Sequence, residues 1–203
     1  STGYAFDNTL LTGNLLLVES KVEGFITSNG KILDLGEDAR IFTTLNTCTK
    51  CSFIKCGHIF DANHGYNVVE SSFYSCENVF VDTSYNKVVD CDFFNCSYIF
   101  YFLCGENTVE KCRFLDCVNQ IFFMSSGAIT SFDSCEFRNI SQSTPKESLF
   151  EVCPSESKSK FIVRNCGFDN ISLAANGTII KNCCPYGKVK SFVGQISECT
   201  FGK

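Results

Sequence analysis

The chain has 203 residues, 44% of them hydrophobic, with 21 Phe, 15 Cys, no Trp and a formal net charge of -5. Its Lys and Arg are spread along the sequence rather than gathered, which argues against a nucleic-acid groove. The apolar run from Leu10 to Val18 is too short, and too broken by Thr12, Gly13 and Asn14, to span a bilayer, so no transmembrane segment is expected.

Residues 1–47 hold hydrophobic stretches, Leu15-Leu16-Leu17-Val18 and Ile32-Leu33-Asp34-Leu35, without a full repeat, and read as irregular N-terminal coils or a cap. Ile41-Phe42 stands 18 residues before Ile59-Phe60, which suggests that the downstream pattern starts here in looser form. The chain opens on Ser with no secretory leader, as a processed or excised piece would.

From residue 48 a phrase returns about every 20 residues, as Val88-Val-Asp-Cys91-Asp-Phe93-Phe-Asn-Cys96 and again as Val109-Glu-Lys-Cys112-Arg-Phe114-Leu-Asp-Cys117. With its first Cys as anchor, the series is Cys51, Ser71, Cys91, Cys112, Cys135, Cys166, Cys183 and Cys199, in steps of 20, 20, 21, 23, 31, 17 and 16. Three residues before each anchor the side chain is apolar, and two after it stands Phe53, Phe73, Phe93, Phe114, Phe137 or Phe168. Five after stands Cys56, Cys76, Cys96 or Cys117, then Ile140 and Ile171.

A period of this length marks a solenoid, and a unit too short for two helices but rich in Val, Ile and Phe between Asn, Gly, Ser and Asp marks strands and turns. The expected fold is all-β, a parallel β-helix with regular coils over residues 48–140, whose columns stack about 4.8 Å apart. The anchor and the Phe two residues later face one side of an extended strand; the apolar residue three before is out of phase by one, so a bend or bulge lies between. The interior aromatics do not fit a leucine-rich repeat, and the dense apolar columns argue against a disulfide-stapled knot, which lacks a core.

The long step after Cys135 reads as an inserted loop over 141–160, with Pro145, Lys146, Lys158 and Lys160 as candidate interaction residues. Residues 161–203 read as shortening C-terminal coils, broken by Pro185 and either continued by further chain or met by another subunit.

Most cysteines fall in core columns, where a thiol acts as a compact hydrophobe; rung-to-rung disulfides such as Cys91 with Cys112 and Cys96 with Cys117 are the open alternative. Metal-like spacing occurs at Cys48, Cys51 and Cys56 and at Cys183, Cys184 and Cys199, but the first three are already accounted for by packing, and His58 and His64 supply no convincing fourth ligand. No metal and no cofactor is expected. Four Asn-x-Ser/Thr acceptors occur, at Asn95, Asn139, Asn170 and Asn176. The first three share one column and read as turn residues, whereas Asn176, in Asn-Gly-Thr, is the best glycan candidate of an extracellular protein.

Glu70, Asp90 and Asp92, with Lys111 and Arg113 one coil on, are the one cluster that suggests acid-base or calcium chemistry, against the simpler reading of a charged outer wall. Tyr66, Tyr74, Tyr85, Phe94 and Tyr98 are candidate exposed aromatics.

The frame Val-x-x-Cys-x-Phe, with Ser126-Gly127-Ala128-Ile129 shortly before Phe132-Asp-Ser-Cys135-Glu-Phe137, resembles the repeats of right-handed parallel β-helix surface proteins. It is similar to the polymorphic outer-membrane-protein-like repeat of the pectate-lyase-like superfamily, whose glycine-glycine-alanine-isoleucine element occurs once here, with Ser126 for the first Gly. The resemblance covers roughly residues 48–201 and implies a secreted or cell-surface location and a structural or adhesive, non-enzymatic role. Protein partners or self-association through the helix ends, and a surface glycan, are the partners it suggests. No catalytic residue of that superfamily transfers onto a matching motif, and a carbohydrate-active enzyme with a side-face carboxylate site stays as the alternative.

Overall fold

The computed structural model describes residues 6–7, 16–23, 33–34, 46–57, 59–61, 65–124, 129–143, 148–152, 160–182 and 193–202. Its strands, numbered β1 to β24 in chain order, fall into three eight-stranded parallel sheets. Sheet A stacks β1 (Phe6–Asp7), β4 (Leu33–Asp34), β7 (Phe60–Asp61), β10 (Phe80–Val81), β13 (Phe100–Leu103), β16 (Phe122–Met124), β19 (Ser148–Val152) and β22 (Thr178–Asn182). Sheet B stacks β2 (Leu16–Val18), β5 (Asn46–Thr49), β8 (Tyr66–Val69), β11 (Lys87–Val89), β14 (Glu106–Glu110), β17 (Ile129–Asp133), β20 (Lys160–Arg164) and β23 (Val193–Ser197). Sheet C stacks β3 (Lys21–Glu23), β6 (Ser52–Ile54), β9 (Ser72–Tyr74), β12 (Asp92–Phe94), β15 (Arg113–Leu115), β18 (Glu136–Ser141), β21 (Gly167–Ser172) and β24 (Thr200–Phe201). Each strand pairs with the one three later, so the chain passes through B, C and A once per coil. This is a right-handed parallel β-helix.

The bend between Val88 and Cys91 is a single residue. Val88 points in, Val89 out, and Asp90 takes a left-handed conformation with φ of 51°, so that Cys91 points in again. Glu70, Lys111, Ser134 and Asn165 turn the same corner in other coils, and Asn95, Asp116, Asn139 and Asn170 turn the next one. A β-branched side chain would clash there, and none occupies such a position among the described residues. Each turn residue recovers a backbone hydrogen bond to the neighbouring coil, Asp90 N–H donating to Glu110 O at 3.0 Å and Asn95 N–H to Leu115 O at 3.0 Å.

The anchor Cys completes that corner. The Cys91 thiol donates to Val89 O at 3.3 Å and the Cys112 thiol to Glu110 O at 3.2 Å, each reaching back over the turn. Ser71 does the same through its hydroxyl to Val69 O at 3.0 Å, and accepts from Cys51 N–H at 3.1 Å, which is why Ser replaces Cys in that coil. Ser20 holds the equivalent place upstream, donating to Val18 O at 2.9 Å.

Inside, the Phe of sheet C form a ladder. Phe73, Phe93, Phe114 and Phe137 stack with centroids 4.7–4.9 Å apart and ring planes within 5°. The sheet A column, with Phe60, Phe80 and Phe100, meets that ladder edge-on, Phe93 lying 5.9 Å from Phe100 at 60°. Parallel strands impose one spacing on every column, so rings stack within a column and meet edge to face between columns.

Several expectations need correction. The anchor after Cys166 is Cys199, not Cys183: Ile180 pairs with Phe150 in sheet A, whereas Ile196 pairs with Val163 in sheet B. The last coil is therefore longer than the others rather than shorter, the step from Cys166 to Cys199 being 33 residues. Upstream, the partner of Phe60 is Leu33, and Ile41-Phe42 lies outside the described residues. The 141–160 segment holds strand β19, paired with β16 and β22, so it is not a single inserted loop.

Candidate functional site

The side walls display the residues that the core does not use. Glu70, Asp90 and Lys111 are corner residues stacked along the B–C edge, all exposed. Asp92 and Arg113 instead project from the outer face of sheet C on adjacent strands and satisfy each other: Arg113 Nε donates to Asp92 Oδ1 at 2.6 Å and Nη2 to Oδ2 at 2.5 Å. The hydrogen bonds and charge of Asp92 raise the guanidinium pKa further. The cluster that suggested acid-base chemistry is thus divided between an edge and a face, and one of its carboxylates is bound in a bidentate pair.

A second set lies on sheet B and its edge. Asp133 accepts from Arg164 and, at 2.9 Å, from Asn165 Nδ2. Those bonds, led by Arg164, hold its carboxyl below the ordinary carboxylate range.

Of the glycan candidates, Asn95, Asn139 and Asn170 are left-handed corner residues with φ of 50–54°. Their side-chain amides donate along the edge, Asn95 Nδ2 to Ser75 Oγ at 3.1 Å, Asn139 Nδ2 to Asp116 Oδ1 at 2.9 Å and Asn170 Nδ2 to Asn139 Oδ1 at 2.9 Å. Asn176 is exposed at the tip of a turn closed by Gly177 N–H to Ala174 O at 2.8 Å. Lys160 opens β20 and is exposed; Pro145, Lys146, Lys158, His58, His64, Cys183 and Cys184 lie outside the described residues.

Cys91, Cys96, Cys112, Cys117, Cys135 and Cys166 are buried reduced thiols. Burial pushes the Cys117 thiol up to about 12 and Cys112 well above the ordinary range. Cys135 is enclosed at 3% exposure, its thiol donating to Asp133 O at 3.4 Å and Val109 O at 3.5 Å while its N–H donates to Cys166 Sγ at 3.4 Å. Among the described residues no group of three His, Cys, Asp or Glu side chains is placed to hold a metal ion, and no helix is long and apolar enough to cross a membrane.

Two features were not read from the sequence. Tyr66, an expected surface aromatic, is 1% exposed and packs on Phe60 at 4.9 Å. It heads a buried polar column: Asn86 Oδ1 accepts from Tyr66 N–H at 3.3 Å, and Asn107 Oδ1 accepts from Asn86 N–H at 3.1 Å and Asn86 Nδ2 at 2.8 Å. The other feature is the outward apolar column on sheet C that Tyr74 and Phe94, expected surface aromatics and 41% and 42% exposed, form with Ile54 and Leu115 in successive register. Its signal was available at three residues after each anchor.

Neither comparison with protein-family models nor comparison with curated protein sequences found a match for the chain.

Proposed function

We propose that the chain is a module of a cell-surface or secreted β-helix protein of the polymorphic outer-membrane-protein-like kind, acting as a structural or adhesive rod rather than as an enzyme. The observation that carries this reading is the state of the wall charges. Asp92 and Asp133 are each bound by an arginine from the next coil, an arrangement that joins coils and engages these carboxylates as hydrogen-bond acceptors. Repetition in the core with variation outside suits a scaffold that displays its surface. Among the described residues the outermost strands, β1–β3 and β22–β24, are each paired on one side, and a partner's strand could pair with the other. Asn176 is the acceptor best presented for a glycan.

Two assays test the reading. Surface labelling and protease shaving of intact cells that express the protein should reach it, and peptide:N-glycosidase should shift the mass of any glycosylated form at Asn176 first. Incubation with acidic and neutral polysaccharides should release neither unsaturated uronides nor new reducing ends. Turnover that disappears in Asp92→Asn would replace the rod by the alternative, a carbohydrate-active enzyme with a side-face site.

A further inference from the structure

The outer face of sheet C has a charge and apolarity pattern that complements itself. Two outward columns run along it. One reads Lys21, Ser52, Ser72, Asp92, Arg113, Glu136, and the other reads Glu23, Ile54, Tyr74, Phe94, Leu115, Arg138, coil by coil in the same order. The apolar stretch is central, and each end is closed by an ion pair within one strand: Lys21 with Glu23 at 2.7 Å, and Arg138 with Glu136.

We propose that this face docks on a second copy of the chain, antiparallel, through a two-fold axis lying along the strands between Tyr74 and Phe94. That operation turns the stack end for end and keeps each column opposite itself. Lys21 then faces Glu136 of the second copy and Glu23 faces Arg138, so the two intra-strand pairs meet as an alternating group of four charges. Ile54 faces Leu115 and Tyr74 faces Phe94. Ser72 faces Asp92 and Ser52 faces Arg113, placing hydroxyls against an ion pair that is already satisfied. No row sets like charges together or a charge against an apolar side chain.

Other registers lack this property. Sliding the axis half a coil one way sets Asp92 against itself and Glu23 against Asp169; sliding it the other way sets Lys21 against Arg113. A two-fold along the rod, giving parallel copies, sets Asp92 against Phe94 and Arg113 against Leu115, which strips charges of water without pairing them. One register and one orientation are therefore selected, as specificity by avoided mismatch requires.

Six coils span about 24 Å, and two columns make a face narrower than the ~800 Å² per partner of a standard stable complex, so the dimer belongs to the weak, reversible class. This inference does not depend on whether the rod is adhesive.

The test is sedimentation velocity of the full chain over a concentration series, at low and high salt. The expected result is a monomer–dimer equilibrium that salt weakens. Lys21→Glu and Glu136→Lys should each weaken it about tenfold, since each reverses two symmetric exposed pairs, and the double variant K21E/E136K should return it to the wild-type value. Phe94→Lys should abolish it while thermal unfolding stays unchanged. Absence of association up to millimolar concentration would overturn the proposal, and so would association that survives Phe94→Lys or is not restored by the double reversal.

Discussion

The two faces of sheet C are made by the same strands, yet they repeat to different degrees. Inward, the second residue of each sheet C strand from β6 to β21 is a buried Phe, and the second residue of β24 is Phe201, stacked on Phe168 at 5.1 Å. Outward, the residue next to it changes from Ile54 to Tyr74, Phe94, Leu115, Arg138 and Asp169. The difference is one of constraint. A ring inside has a ring above and below it at a distance fixed by the ladder, so a substitution disturbs two neighbours; outside, water fills whatever the side chain leaves.

Breaking the inner column should cost most. Phe114→Ala removes a ring held between Phe93 and Phe137 and should lower stability by about 3–5 kcal/mol, read as a drop in the denaturant midpoint. Next comes the polar part of the interior. Asn107→Ala deprives Asn86 of the acceptor for its backbone N–H and one amide hydrogen, and should cost about 2–3 kcal/mol, within the range for orphaned buried groups.

Alkaline pH should act on the buried thiols of the core. An unfolded chain releases the Cys117 proton near the ordinary 9.0, the folded chain near about 12. Between those values the unfolded state binds fewer protons, so stability falls as pH rises, by up to about 1.4 kcal/mol per pH unit for each such thiol. Urea unfolding at pH 8 and above about pH 10 measures it, and Cys117→Ala should flatten the slope. The smallest effect belongs to the wall: Arg113→Ala, at a pair whose arginine side chain is 55% exposed, should cost ~0.2–1 kcal/mol, less in high salt.

The inner face was legible in the sequence because stacking repeats residue identity, and identity is what a sequence displays. Cys51, Ser71 and Cys91 with Phe53, Phe73 and Phe93 gave the coil, its length and the corner between Val88 and Cys91. The one false anchor, Cys183, arose because Ile180 three residues before it mimics the phrase while belonging to another sheet. Tyr66, Asn86, Asn107 and Thr130 share an interior column whose members change from coil to coil, so periodicity missed it, and Asn by itself suggests a surface turn. The outer faces were least legible. What matters there is which residues lie across from one another in neighbouring coils, and only the register supplies that. The corner asparagines were read correctly as turn residues because Asn tolerates the left-handed conformation that the corner demands.

The central claim is that the repeated phrase specifies the core while the residue beside it is free. Phe93 and Phe94 are adjacent in one strand, 0% and 42% exposed, and differ in little else. Equilibrium unfolding of Phe93→Ala and Phe94→Ala in the same denaturant is the direct test. The account predicts a loss of about 3–5 kcal/mol for the first and less than about 0.5 kcal/mol for the second. Comparable losses at both positions, or the larger one at Phe94, would contradict it.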